Sequence, residues 1–105
     1  MKRLLRIGEV DALLSMPFAI VYKHSPVCGL SDRARHEAER FLSDHPGQEI
    51  HEVNVIEDRH LSDYIETRTG IRHESPQILV LRDGKAVWSA SHSRVTAQAI
   101  ASNVE

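Results

Sequence analysis

The segment Phe18–Lys23, Phe-Ala-Ile-Val-Tyr-Lys, is an apolar run of strand length, and it constrains the fold more than any other part of the sequence. β-Branched and aromatic residues dominate it, and both odd and even positions are apolar. Strands of this kind are buried on both faces, so the sheet that contains them needs helices on each side. The run therefore predicts an α/β fold with a core on both faces of the sheet.

The rest of the chain supplies helices and strands for such a sheet. Spaced apolar residues predict an N-terminal helix over Val10–Ser15, with a start as early as Gly8, and Pro17 stops it. They also predict a long helix from Cys28 or Gly29 to about Asp44. Similar patterns predict the remaining elements, which are a strand at Glu49–Ile56, a helix from about Asp58 to Thr69, strands at Gln77–Arg82 and Lys85–Ser91, and a helix from Val95 to about Asn103.

The order of these elements narrows the topology. A strand-helix-strand unit requires parallel strands and a right-handed crossover, whereas Asp83-Gly84 between the last two strands is typical of a hairpin. The order predicts a thioredoxin-like α/β fold, with a mixed four-stranded central sheet and helices on both faces. A chain of 105 residues with 41% hydrophobic residues suits one domain over residues 1–105.

Composition excludes several classes of partner. The 13 Lys and Arg residues against 15 Asp and Glu give a net charge of −2 without charged blocks, so we expect no nucleic-acid partner. No apolar run approaches the roughly 20 residues needed to cross a bilayer, so we expect a cytoplasmic protein without membrane contact. The seven histidines contain no i, i+4 pair, and we expect no metal site.

The single cysteine, Cys28, is the strongest candidate for chemistry. It follows a buried strand and opens the long helix, where unpaired N–H groups of the first turn stabilise a thiolate, the form that attacks disulfides. Ser31 stands three positions on, where a dithiol oxidoreductase has its second cysteine. Cys28 can therefore form a mixed disulfide but needs an external thiol to release it, while Ser31 is a candidate hydrogen-bond donor to the thiolate.

Pro76 is the second element of the predicted site. It stands directly before the strand Gln77–Arg82, and thioredoxin-like folds have a cis proline at this place, opposite the cysteine. The backbone of the preceding residue, here Ser75, then pairs with an extended partner. The joint spacing of Cys28 and Pro76 predicts a cis peptide bond before Pro76.

These segments resemble the monothiol bacilliredoxins, which are small thioredoxin-like proteins of bacteria that use the thiol bacillithiol. The similarity covers nearly the whole chain, and it is carried by Tyr-Lys-His-Ser at 22–25, Cys-x-x-Ser at 28–31, Gly-Ile-Arg-His-Glu-Ser-Pro-Gln at 70–77, Gly-Lys-Ala-Val-Trp at 84–88 and Ser-His-Ser at 91–93. The chain departs from the family at Gly29, because a proline usually follows the cysteine there.

The resemblance implies a function and its partners. Cys28 would remove bacillithiol from S-bacillithiolated client proteins, and bacillithiol, a co-substrate rather than a bound cofactor, or a reductase would reset it. We expect a monomer. The candidate substrate contacts are Pro26, Gly29, Leu30, His73, Ser75 and Pro76, and Trp88 and His92 are weaker candidates because such residues are more often structural.

Two other interpretations stay open. Cys28-Gly29-Leu30-Ser31 also resembles the Cys-Gly-Phe-Ser site of monothiol glutaredoxins, which share an iron-sulfur cluster with glutathione, but the Gly-Gly-Asp segment of that family is replaced here by Trp88–Ser93. Alternatively, the chain is a non-catalytic adaptor that binds peptides in the groove beside Pro76.

Overall fold

The computed structural model describes residues 1–104, and a mixed five-stranded sheet forms its centre. The strands are β1 (Lys2–Arg3), β2 (Phe18–His24), β3 (His51–Asn54), β4 (Gln77–Arg82) and β5 (Lys85–Ser91). The helices are α1 (Ile7–Leu14), α2 (Gly29–Asp44), α3 (Arg59–Thr69) and α4 (Ala97–Val104), and a single 3₁₀ turn covers His92–Arg94.

The strand order is β1-β3-β2-β4-β5. The strands β1, β3 and β2 are parallel, β4 is antiparallel to β2, and the hairpin of β4 and β5 completes the sheet. All four predicted strands are present, and the prediction of a four-stranded sheet needs one small correction. The fifth strand, β1, has only two exposed residues at the sheet edge, which is too short for any periodic pattern to reveal.

The strand β2 is buried on both faces, as its apolar run predicts. Ala19 and Val21 belong to a core layer that includes residues of α1 and α3. Ile20 and Tyr22 belong to a second layer on the opposite face, which includes residues of α2 and α4. The core therefore lies on both sides of the central strand, and the C-terminal end of β2 is enclosed between the two helical layers.

Side-chain hydrogen bonds explain where the structure departs from the predicted helix and strand boundaries. Helix α1 begins at Ile7, one residue before the early start predicted at Gly8, because the Glu9 carboxylate accepts hydrogen bonds from the N–H groups of Leu5 and Arg6, at 2.9 and 3.1 Å. Strand β3 covers only four of the eight predicted residues. It ends at Asn54, whose Oδ1 accepts hydrogen bonds from the N–H groups of Ile56 and Glu57, both at 3.0 Å. These two bonds turn the chain at the end of the strand.

The turn between β4 and β5 confirms the predicted hairpin, with Asp83 and Gly84 both at positive φ, 52° and 78°. A Cβ at Gly84 would lie 2.5 Å from the carbonyl oxygen of Leu14, so this position requires glycine for space as well as for conformation. Within residues 1–104, no helix has the length and apolar character to cross a membrane.

Candidate functional site

A tight turn places Cys28 at the start of helix α2. The Cys28 N–H donates to the carbonyl of Ser25 at 3.2 Å, and Pro26 occupies the second position of this four-residue turn, where its fixed φ is favoured. Cys28 itself has extended backbone angles, φ −115° and ψ 123°, and directly precedes the helix. The predicted position of the thiol at a helix N-terminus is confirmed.

The residues that flank Cys28 in the chain are mostly apolar and exposed. The thiol is free and partly exposed, and it makes no capping hydrogen bond to the helix. Gly29 and Leu30, as the first two residues of α2, carry N–H groups without a helical acceptor. Val27 and Leu30 are 83% and 44% exposed, and Pro26 is exposed as well. The sulfur is therefore accessible at the helix terminus rather than sealed in the core.

Ser31 is fully buried, at 0% exposure. Its Oγ accepts a hydrogen bond from the Ser25 N–H at 3.1 Å, which links the first turn of α2 to the end of strand β2. The hydroxyl proton is not used in this bond. Donation from Ser31 to the thiolate of Cys28 stays a prediction. The hydrogen bond from the Ser25 N–H to Ser31 Oγ, which the sequence did not predict, stabilises the turn that carries the cysteine.

Three buried side chains, two from the end of β2 and one from the first turn of α2, form what we call the Tyr22 cluster: Tyr22, His24 and Ser31. The Tyr22 hydroxyl donates to the Ser31 carbonyl at 2.8 Å and lies 2.9 Å from Nδ1 of His24. A hydroxyl has one proton, so His24 must donate from Nδ1 to the Tyr22 oxygen. Burial raises the pKa of Tyr22 and lowers the pKa of His24, so both are neutral at pH 7.

Pro76 lies at the same end of the sheet as the Cys28 turn. The Ser75–Pro76 peptide bond is cis, which confirms the prediction, and Pro76 is buried. Gln77, the next residue, pairs with Lys23 near the end of β2. The Pro76 carbonyl accepts a hydrogen bond from the His92 N–H at 2.9 Å. The proline therefore sits where β4 begins, beside the point where β2 leads into the Cys28 turn.

The opposite face of β2 carries a second polar group, the Lys23 cluster, formed by Lys23, His73 and Glu66. Lys23 is 0% exposed, and its Nζ lies 3.2 Å from Nδ1 of His73. The His73 N–H donates to the Glu66 carboxylate at 2.6 Å, which fixes the loop before Pro76. Burial lowers the pKa of Lys23 to about 8, and burial followed by the charge of Lys23 lowers the pKa of His73.

The other candidates are placed less centrally. Ser75 is half-buried and its Oγ lacks a hydrogen-bond partner, as does Oε1 of Gln77, within the part of the chain that the structure describes. His92 is exposed, with Nε2 3.3 Å from the Glu74 carboxylate. Trp88 packs against the core layer under α2 and α4. Among residues 1–104 no cluster of three His, Cys, Asp or Glu residues could hold a metal ion.

Sequence reasoning missed the roles of Tyr22, Lys23 and His24 in building the site. The signal was present, because these residues end a run of otherwise apolar character, and a lysine enclosed between two core layers is unusual. The length of the apolar run predicts a buried strand, but it does not show which polar atoms form hydrogen bonds on each face of that strand.

The family model of the monothiol bacilliredoxin BrxC matches residues 3–100. This chain belongs to the monothiol bacilliredoxin family. A solved thioredoxin-fold protein that has been proposed to be an oxidoreductase is 28% identical to this bacilliredoxin, with a TM-score of 0.92 over 99% of this chain and 93% of the other. The match supports the resemblance carried by the motifs around Cys28 and Pro76.

Two thioredoxins show the same fold at lower identity. Mitochondrial thioredoxin 3 from Saccharomyces cerevisiae has a TM-score of 0.78 at 12% identity, covering 99% of this chain and 92% of its own. Oxidised thioredoxin from Plasmodium falciparum has a TM-score of 0.75 at 17% identity, covering 97% and 92%. The predicted thioredoxin-like fold is confirmed, and the bacilliredoxin has a thiol redox role with partners of the bacillithiol system.

Proposed function

We propose that this bacilliredoxin removes bacillithiol from S-bacillithiolated proteins through a mixed disulfide on Cys28. The observation that carries the proposal is the partly exposed, free thiol of Cys28 at the start of α2, at the same end of the sheet as Pro76. A thiol in this position has room for an incoming disulfide and two adjacent N–H groups that favour the thiolate.

The proposed reaction is a pair of thiol-disulfide exchanges. The Cys28 thiolate attacks the bacillithiol sulfur, the bond between bacillithiol and the client cysteine breaks, and the client leaves as a thiolate that takes a proton from water. Because Cys28 is the only cysteine, no internal thiol can displace the bound bacillithiol. A second bacillithiol or a reductase thiol attacks the mixed disulfide, frees Cys28 and is itself oxidised.

The surface beside the thiol would hold the substrate. We assign its contacts to the turn and first helical residues on one side and to the segment before β4 on the other. These residues are Pro26, Gly29, Leu30, His73, Ser75 and Pro76. In the same proposal Ser31 assists Cys28 by donating its free proton to the thiolate, and the protein acts in the cytoplasm as a monomer with bacillithiol as co-substrate and no bound cofactor.

Release of bacillithiol from an S-bacillithiolated protein, followed by mass spectrometry with excess bacillithiol as reductant, tests the proposal. We expect turnover by the native chain and none by Cys28→Ser. A matched control carries Cys28→Ser together with Ser102→Cys, which moves the single thiol to an exposed position on α4. Turnover by this relocated thiol equal to that of the native chain would contradict a role for the site.

The two alternatives predict different results. Anaerobic reconstitution with iron and sulfide should leave this protein colourless, and a coloured dimer would favour the glutaredoxin-like iron-sulfur carrier. An adaptor should retain its partner after Cys28→Ser, whereas the proposed exchange requires that substitution to abolish capture of bacillithiolated clients as mixed disulfides.

A further inference from the structure

Lys23 occupies a position that is unfavourable for a lysine. It is fully buried in the middle of the sheet, and the hydrogen-bond partner found for its ammonium group within residues 1–104 is Nδ1 of His73. An ammonium group has three protons, and a buried charge with incomplete pairing destabilises the fold. Its location at the site end of β2, where it contacts the loop before Pro76, points to a role in the site.

The contact between Lys23 and His73 fixes the protonation of the imidazole ring. A lysine ammonium can only donate, so Nδ1 of His73 must be the acceptor and carries no proton. The lowered pKa of His73 leaves the ring neutral at pH 7, and its single proton therefore lies on Nε2. Nε2 is on the far side of the ring from Lys23, and His73 is partly exposed.

We propose that Lys23 is a positioning residue that holds His73 as a neutral Nε2–H donor, directed to an oxygen acceptor of the bound low-molecular-weight thiol. The inference rests on the proposed function, because it assigns a substrate-recognition task to the same proposed substrate-binding surface. Two anchors hold the donor in place: Lys23 on the ring and the Glu66 carboxylate on the His73 backbone N–H. Bacillithiol carries hydroxyl and carboxylate oxygens that can accept such a bond.

The charges that face this pair come mainly from α3. Asp63 and Glu66 favour the charged forms of both Lys23 and His73, while Arg59 opposes protonation of His73; burial and the charge of Lys23 outweigh the two carboxylates and lower the pKa of His73. Gln77, the strand neighbour of Lys23 on β4, is uncharged. With its pKa near 8, Lys23 is mostly charged at pH 7 and still donates to His73.

Nitrogen-15 NMR of the resting protein tests the positioning independently of any activity. We expect His73 to show a protonated Nε2 and a bare Nδ1 at pH 7, and Lys23→Met to weaken this preference measurably. Lys85→Met, which removes an exposed lysine on β5, should leave the His73 signals unchanged. A protonated Nδ1 in the native chain, or an unchanged tautomer in Lys23→Met, would overturn the proposal.

Kinetics with two disulfides test recognition. Losing one hydrogen bond of this kind should lower kcat/KM for a bacillithiol mixed disulfide about tenfold in Lys23→Met and in His73→Asn, whereas His73→Gln, whose amide donor can replace Nε2–H, should retain more activity. The loss should be much smaller with cystamine, a disulfide without oxygen acceptors, because cystamine cannot accept the Nε2–H bond. Equal losses with cystamine would overturn the recognition role.

The two assays separate the failure of this inference from failure of the proposed function. If the native chain exchanges with cystamine but not with bacillithiol disulfides, the proposed function fails, and the recognition role fails with it even where the NMR tautomer is as expected. If the native chain turns over bacillithiolated substrate while the tautomer is wrong, the positioning role of Lys23 fails and the proposed function stands.

Discussion

Two polar clusters lie on opposite faces of strand β2, and each contains a histidine in a different tautomer. In the Tyr22 cluster, Nδ1 of His24 donates to the Tyr22 oxygen, and the Tyr22 hydroxyl donates a hydrogen bond to the Ser31 carbonyl in α2. In the Lys23 cluster, Nδ1 of His73 is an acceptor and the ring proton is on Nε2. At the C-terminal end of β2, the histidine on one face therefore donates from Nδ1, and the histidine on the other face accepts at Nδ1.

The difference lies in how completely the polar groups are paired. Each hydroxyl of the Tyr22 cluster has a partner, and the cluster braces the turn that carries Cys28. The Lys23 cluster keeps a charged group in the core with one hydrogen-bond partner found among residues 1–104. We infer that the first cluster stabilises the fold, and that the second reduces stability while holding a defined hydrogen-bond donor beside the proposed site.

The largest expected effect is on the pH dependence of stability. The pKa of Lys23 falls from 10.5 in the unfolded chain to about 8 in the folded one, so the unfolded state binds the extra proton between these values. The free energy of unfolding should rise by about 3 kcal/mol as pH increases from 8 to 10.5, since each pKa unit corresponds to about 1.4 kcal/mol. Urea unfolding of the native chain and Lys23→Met across this range measures it.

Subtracting the free energy of unfolding of Lys23→Met from that of the native chain at each pH removes the contribution of the tyrosines and the other lysines, which titrate in both proteins. At pH 7 the variant should be more stable than the native chain by about 2 kcal/mol, because the lost hydrogen bond to His73 offsets part of the removed charge burial. A variant that is less stable at pH 7 would show that Lys23 stabilises the fold, and the contrast between the two clusters would disappear.

Ser31→Ala should have the next largest effect, in the opposite direction. The substitution leaves the buried Ser25 N–H without its acceptor, which should lower the free energy of unfolding by about 2 kcal/mol. Ser102→Ala, which alters an exposed serine of α4, should change stability by less than about 0.5 kcal/mol. Equal, small effects in both variants would argue against a bracing role for Ser31.

Tyr22→Phe should have a smaller effect, with a loss of about 1 kcal/mol, because the Ser31 carbonyl lies within α2 and keeps a helical acceptor role. The variant also removes the acceptor of the His24 Nδ1 proton, so the preference of His24 for that tautomer should weaken in nitrogen-15 NMR. Tyr64→Phe, which removes the hydroxyl of a half-buried tyrosine outside this cluster, is the control and should leave the His24 tautomer unchanged. An unchanged His24 tautomer would contradict the hydrogen-bond directions assigned to the Tyr22 cluster.

Much of the fold could be predicted from the sequence, because local patterns determine it. The apolar run of β2, the amphipathic pattern of α2 and the Asp83-Gly84 turn each have one dominant structural interpretation. The two-residue strand β1 has no such pattern, since its pairing with β3 depends on contacts about 50 residues away. The start of α1 at Ile7 lies one residue before the predicted early start at Gly8, and the Glu9 carboxylate that caps it lies inside the helix.

The candidate site was predicted only in its covalent and backbone features. The position of Cys28 before a helix and the cis bond at Pro76 follow from spacing along the chain. The pairing of Lys23 with His73 joins residues 50 positions apart, and no local pattern encodes it. Which face of the sheet receives each polar side chain depends on register, and that becomes visible only once β2 and β4 are aligned.

The reactivity of Cys28 is tested most directly by intact-mass measurement after exposure to oxidised bacillithiol. We predict one bacillithiol adduct, reversed by a reductant, absent in Cys28→Ser, and formed faster than on a free cysteine peptide. No adduct on the folded protein, under conditions that modify the peptide, would contradict the assignment of Cys28 as the reacting thiol.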